Sequence, residues 1–195
     1  MEDTIDLSAR PPEKFKIDEF EKYFEMQKQS QWCWIATAVA VGNFYESYTV
    51  RPNDKTTKWD QIDTYKKLKS TCHTVTTATP LMSLGTKDLC NETGNPQTSL
   101  QHVFCFVNKY ANSTIELPEI KRIIATGKPV IVGLKKMKQD GTLSYQGHVI
   151  TLYGYDGPNT WYVGDPLEGI KTLLLNKVTA ANLAASEFFI TKKPG

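Results

Sequence analysis

The chain has 195 residues, 40% of them hydrophobic and 23% charged, enough apolar side chain for one buried core and too little length for two independent ones. Those proportions are typical of globular proteins and exclude a disordered or fibrous chain. Its 23 basic and 21 acidic residues leave a formal net charge of +2, a balance that argues against nucleic acid as a partner.

Residues 1–12 carry charges and the pair Pro11-Pro12 without periodicity and are expected to form a loosely held arm. The opening Met-Glu-Asp-Thr-Ile-Asp is acidic, with no basic stretch followed by an apolar one, so no cleavable secretory signal is visible. A soluble chain is expected, and export by a route that leaves no such signal stays compatible with it. Residues 32–41, the longest apolar run, fall short of the roughly 18 residues of a membrane span, so no membrane partner is expected.

From Phe15, apolar Ile17, Phe20 and Phe24 recur at three- and four-residue steps, the pattern of a short amphipathic helix or a packed lead-in. The polar loop Gln27-Lys-Gln-Ser-Gln31 then meets an apolar, Ala-rich run from about 33 to 44, a helix buried on most sides that Gly42-Asn43 weakens at its end. A second helix is expected over about 59–69, followed by a Thr-rich loop to 79 and turn-forming residues over 80–96. Ser99 has the chemistry of an N-cap for a helix burying Leu100, Val103, Phe104 and Val107. The next helix has Pro118 in its first turn, buries Ile120, Ile123 and Ile124, and stops at Gly127.

After Pro129 the pattern changes to strands over about 130–134, 143–155, 160–163 and 170–175, with turns at 139–141 and 156–159. A short helix over about 178–185 and a last strand over 187–191 complete the chain. Helices dominate the first two-thirds and antiparallel strands the last third, an α+β layout. The expected organisation is one domain over 1–195, with a helical lobe over about 13–127 and a β lobe over about 128–195.

The segment Gln31-Trp32-Cys33-Trp34 places a thiol between two Trp at the start of the buried helix. Helix N-terminal charge and a neighbouring imidazolium both favour the thiolate, so Cys33 reads as a nucleophile rather than an inert core thiol. Of the three His, His73 lies in the Thr-rich loop and His102 beside an apolar helix face, both ordinary positions. His148 follows Gly147 at the start of an alternating strand, a rigid place for a base. A third group must hold the other ring nitrogen. Asp165 at the end of the next strand lies near the same open end of the hairpin, whereas Asp156 and Asn159 belong to the turn at the far end.

Acyl transfer also needs donors for the developing oxyanion. Gln27, six residues before Cys33, is a candidate, and Gln29 and Gln31 compete with it. Cys105 reads as a buried small hydrophobe, and a Cys72–Cys90 disulfide fits the count without support from it. No C-x-x-C pair or His at zinc-site spacing is present, so neither a metal nor another cofactor is expected. The sequons at Asn91 and Asn112 read as chance.

In combination, Gln27-x5-Cys33-Trp34, Gly127-Lys-Pro-Val-Ile-Val-Gly133, Gly147-His148 and Gly164-Asp165-Pro166 resemble the papain-like cysteine proteases of the bacterial C39-like and AvrRpt2-like group, over roughly residues 25–180. Members often have Ala after Cys-Trp and Gly-Gly before His, where this chain has Ile35 and Gln146-Gly147, departures that bear on pocket shape. The resemblance implies a papain-like fold with Gln27 as oxyanion amide, Cys33 as nucleophile, His148 as base and Asp165 as its orienting partner. It further implies an endopeptidase acting on a protein or peptide substrate, in some relatives as a delivered effector. The same triad also suits deamidation or acyl transfer to an amine, and the same fold a binding module without chemistry.

Overall fold

Seven strands and four helices are formed by the residues described in this computed structural model, which are 10–70, 72, 90–112, 114–138, 143–174 and 183–195. Helix α1 spans Cys33–Phe44, α2 Gln61–Leu68, α3 Pro96–His102 and α4 Leu117–Ala125. The strands are β1 Lys14–Lys16, β2 Phe106–Ala111, β3 Val130–Met137, β4 Leu143–Asp156, β5 Thr160–Asp165, β6 Gly169–Leu174 and β7 Leu183–Thr191. All pairings are antiparallel, in the order β2-β7-β3-β4-β5-β6. The fold is α+β and papain-like. Among the described residues no helix is long and apolar enough to cross a membrane.

The largely apolar composition of α1 has a direct consequence: residues 34–43 are buried on every side, as expected of a helix without a polar face. Its end is held rather than frayed. The Asn43 amide brackets Trp59, donating from Nδ2 to the Trp59 carbonyl at 3.0 Å and accepting the Trp59 N–H at 2.8 Å. Helix α2 starts where Asp60 accepts the N–H groups of Ile62 and Asp63, a side-chain cap.

The sheet recruits strands from the part of the chain expected to be helical. The boundary near residue 128 therefore does not separate helices from strands. Strand β1 pairs with residues 154–156 of β4, beyond the point where pairing with β3 ends at Leu152, so the packed lead-in after Phe15 begins as a strand and continues as a 3-10 turn over Phe20–Tyr23. Strand β2 covers the outer edge of β7. Both additions satisfy edge groups that would otherwise stay unpaired.

The helix expected from Ser99 through Val107 is corrected. Helix α3 runs from Pro96 to His102, its cap is Asn95, and Ser99 instead donates its hydroxyl to the Trp34 carbonyl of α1 at 2.7 Å. Phe104 turns the chain in the left-handed region at φ 62°, and Phe106-Val-Asn-Lys-Tyr pairs with β7. Leu100 and Val103 are buried, but Phe104 and Val107 are exposed. The four apolar residues match helical spacing without sharing a helix, because edge pairing outcompetes periodicity here. At the C-terminal end, β7 starts at Leu183, so the last residues of the helix expected over 178–185 are strand; its earlier part, the turn at 139–141 and most of the 70–96 loop lie outside the described residues.

Gly154 marks the closest approach of β1 to β4. A Cβ there would lie 2.7 Å from the Phe15 carbonyl oxygen and 2.8 Å from the Lys16 Cα, both backbone atoms that cannot rotate away. Gly154→Ala is expected to cost about 1–3 kcal/mol through overpacking. Chemical denaturation tests this, and an unchanged midpoint would count against the close β1 contact.

Candidate active site

Cys33 is the first residue of α1, and the cap residue Trp32 makes no side-chain bond to the helix start. The thiol thus lies beside first-turn N–H groups whose partial positive charge favours an anion. The two flanking Trp anchor this position. Trp32 stacks on Tyr65 with ring centroids 4.4 Å apart and donates its indole N–H to the Cys90 carbonyl at 3.1 Å, while Trp34 donates to the Glu92 carbonyl at 3.2 Å. Cys33 itself stays partly exposed and lines a cleft of about 660 Å³.

One wall of that cleft comes from the end of the turn-rich 70–96 segment. Residues 90–94 run alongside the loop before Cys33, where Asn91 accepts the Gln31 N–H at 2.9 Å and donates from Nδ2 to the Ser30 hydroxyl at 2.7 Å. Gly94 lies on the Trp34 ring so closely that a Cβ would fall 2.3 Å from it. A Cys72–Cys90 disulfide, with Cα atoms 5.5 Å apart, ties this wall to the chain just beyond α2. The Asn91 amide is buried and engaged, so glycosylation of that sequon is incompatible with this packing.

His148 projects from β4 on the other side of the cleft. Gly147 beside it is required by backbone proximity, since a Cβ would come within 2.9 Å of the Leu134 carbonyl on β3. The β4–β5 register Thr151↔Gly164 sets Asp165 next to residue 150, on the same sheet face as residue 148 by the two-residue alternation of a strand. His148 Nε2 and Asp165 Oδ1 are 2.7 Å apart. The other ring nitrogen, Nδ1, is thereby left on the side of Cys33, which lines the same cleft and strengthens the hold of the ring on its proton. Cys33, His148 and Asp165 are thus brought to one site.

The Asp165 carboxylate is enclosed. Oδ1 also accepts the Leu167 N–H at 2.9 Å, and Oδ2 accepts from Lys171 Nζ at 2.6 Å. Burial would raise its pKa, but the hydrogen bonds from His148 and Lys171 prevail and hold it well below the usual carboxylate range. For His148, burial works toward the neutral ring, and the hydrogen bonds to Asp165 and Cys33 with their charges overcome it, pushing the pKa up to about 9.

Gln27 is buried, is not among the residues lining the cleft, and lies near Asp165 through its backbone N–H, which donates to the Pro166 carbonyl at 2.9 Å. Its side-chain Nε2 donates to the Ser30 carbonyl at 2.8 Å. Gln29 is buried, whereas Gln31 lines the cleft beside Cys33. His102 packs edge-on against Trp59 and is remote from the cleft lining, Asp156 pairs with Lys14 at 2.5 Å, and His73 lies outside the described residues. Among the described residues no group of three or more His, Cys, Asp or Glu is placed to hold a metal ion.

Residues 20–187 match the Peptidase C39 like family, and this chain belongs to it. The match takes in Gln27, Cys33, His148 and Asp165. A search of curated proteins finds no match.

Two outcomes follow from the geometry of this site. The His148 pKa is raised from 6.5 to about 9, so the stabilisation linked to that shift is fully present below about pH 6.5 and lost as pH rises through 9, on the order of 3 kcal/mol. Asp165, whose pKa is lowered, contributes above about pH 3.8 and loses that contribution as pH falls. Stability curves of the wild type and His148→Ala should therefore diverge below pH 9 and converge above it; parallel curves would contradict the raised pKa. Second, a non-reducing peptide map should link Cys72 to Cys90 while Cys33 alkylates freely, and Cys72→Ala/Cys90→Ala should lower stability by about 2–4 kcal/mol.

Proposed function

We propose that this member of the Peptidase C39 like family is a cysteine endopeptidase whose nucleophile is Cys33, whose base is His148 and whose orienting carboxylate is Asp165. The convergence of Cys33 and His148 on one open cleft, with Asp165 hydrogen-bonded to the imidazole, carries this reading.

In this mechanism His148 Nδ1 takes the proton from Cys33 Sγ, and Asp165 at Nε2 stabilises the resulting imidazolium. The thiolate adds to the carbonyl carbon of the scissile peptide bond. The negative charge moves to the carbonyl oxygen, where the backbone N–H of Cys33 and the amide of Gln27 serve as donors. Gln27 is assigned by the resemblance of Gln27-x5-Cys33-Trp34 to the family pattern, and its Nε2 has a second N–H beyond the one given to Ser30. Collapse of this intermediate breaks the C–N bond as His148 protonates the leaving amine. Water then gives its proton to His148 and attacks the thioester, releasing the carboxylic acid and restoring the thiol.

The partner is accordingly a protein or peptide. The disulfide beside the cleft supports action in an oxidising compartment, where such bonds persist. An effector delivered outside its own cytosol fits that chemistry.

An irreversible thiol-directed protease inhibitor is expected to add once, at Cys33, and Cys33→Ala to abolish the adduct in intact-mass measurement. A peptide-library digest should produce new termini, whereas a mass increase of about one unit without cleavage would identify deamidation. His148→Ala should reduce turnover by about 10³-fold or more and Asp165→Ala by less, because water partly replaces an orienting group. The rate should fall on an alkaline limb near pH 9, where the imidazolium is lost. Wild-type turnover by His148→Ala would reject the assignment.

A further inference from the structure

Asp165 is not held by His148 alone. Its Oδ2 is occupied by Lys171 Nζ at 2.6 Å, and the same ammonium reaches Glu168 Oε2 at 2.6 Å. The β5–β6 register explains how the lysine arrives there. Asp165 lies opposite Gly169, which offers no side chain, and Val163 lies opposite Lys171; residues 163 and 165 share a face, so the carboxylate's neighbour on β6 comes from two positions along. The Lys171 side chain is 26% exposed and that of Asp165 only 6%, so water screens the pair weakly on the carboxylate side.

A buried carboxylate carrying its full charge beside an imidazole stabilises the imidazolium strongly. A general acid that holds its proton too tightly is slow to give it to a leaving amine. An ammonium on the far oxygen offsets part of that charge without occupying the oxygen that faces the ring. It also fixes the carboxylate plane, because rotation would break the bonds to His148, the Leu167 N–H and Lys171 together.

We propose that Lys171 is a positioning residue of this site, which locks the Asp165 carboxylate and moderates its charge so that His148 binds its proton reversibly in the working pH range. The inference rests on the thiol–imidazole chemistry proposed above. The charged groups around the pair are His148 on β4, Lys171 on β6 and Glu168 in the intervening turn, with Cys33 beyond the imidazole. The same cleft is also lined by Lys135 on β3 and Glu187 on β7, the latter paired with Lys109 at 3.0 Å.

The test needs no known substrate. Alkylation of Cys33 by a neutral haloacetamide is followed by mass spectrometry across pH in the wild type, His148→Ala, Lys171→Met, Lys171→Arg and Glu168→Gln. Removing the ammonium should move the alkaline limb, where His148 deprotonates, upward by about half a pH unit or more, since a lost neighbouring cation favours the imidazolium. Lys171→Arg should restore the wild-type limb. Glu168→Gln, a change at a side chain that is 68% exposed, should move it downward because Lys171 then serves Asp165 alone. On any cleaved peptide, Lys171→Met should lower kcat about tenfold with little change in KM, the mark of lost alignment rather than lost binding. Wild-type profiles in Lys171→Met and Glu168→Gln would overturn the role of Lys171 and leave the peptidase reading standing. If Lys171→Met does not fold, an unmoved limb in Glu168→Gln is sufficient to overturn it. A wild-type profile that matches His148→Ala would instead overturn the thiol–imidazole reading itself.

Discussion

Helix α1 is buried along ten of its twelve residues, and everything else about the site depends on that packing. A helix enclosed on all sides has no freedom to slide or rotate without opening voids, which cost several kcal/mol in a close-packed interior. Its first residue therefore occupies a fixed point against β4. Cys33 is reactive by chemistry, but it is located by Ile35, Val39 and their neighbours, none of which touches the cleft chemistry.

The second half of the site is set by strand register. His148 and Asp165 are on adjacent strands of one hairpin, and the alternation of the strands turns both to the same face. The next strand adds Lys171 by the same rule. A flexible loop could present the same three side chains, yet holding them at 2.6 and 2.7 Å through ordered strands lowers the conformational entropy lost when they align. The ion pairs are also partly shielded, which keeps them effective where surface pairs contribute little.

The cleft joins these two halves, with a third component stapled to its side. Residues 90–94 meet both Trp indoles and the loop before Cys33 through hydrogen bonds, and the disulfide fixes where this wall begins. Trp32 and Trp34 are thus structural on both sides of the thiol: each buries a large ring and directs its one polar atom to a backbone carbonyl. Their presence around Cys33 is explained by anchoring, and the exposure of the thiol between them follows from the turn of a helix that points successive residues about 100° apart.

Much of this was legible in the chain itself. The apolar run after Cys33, the helix initiated by Pro118, and the strands after Pro129 are local patterns, and local patterns are what a sequence expresses directly. So are the types of residue able to act as nucleophile, base and orienting acid. What the linear order could not express was pairing between distant segments. The helical spacing that reaches Val107 gives way to a strand over 106–111 because β7 offers an open edge; Phe15 joins the sheet because β4 extends past β3; the bond between Cys72 and Cys90 is announced by no local pattern; and Lys171 reaches Asp165 only through the β5–β6 register. Residue chemistry is written position by position, whereas the contacts that position and tune it are decided by the global packing, in which a backbone edge or a buried charge takes whichever partner the rest of the chain brings to it.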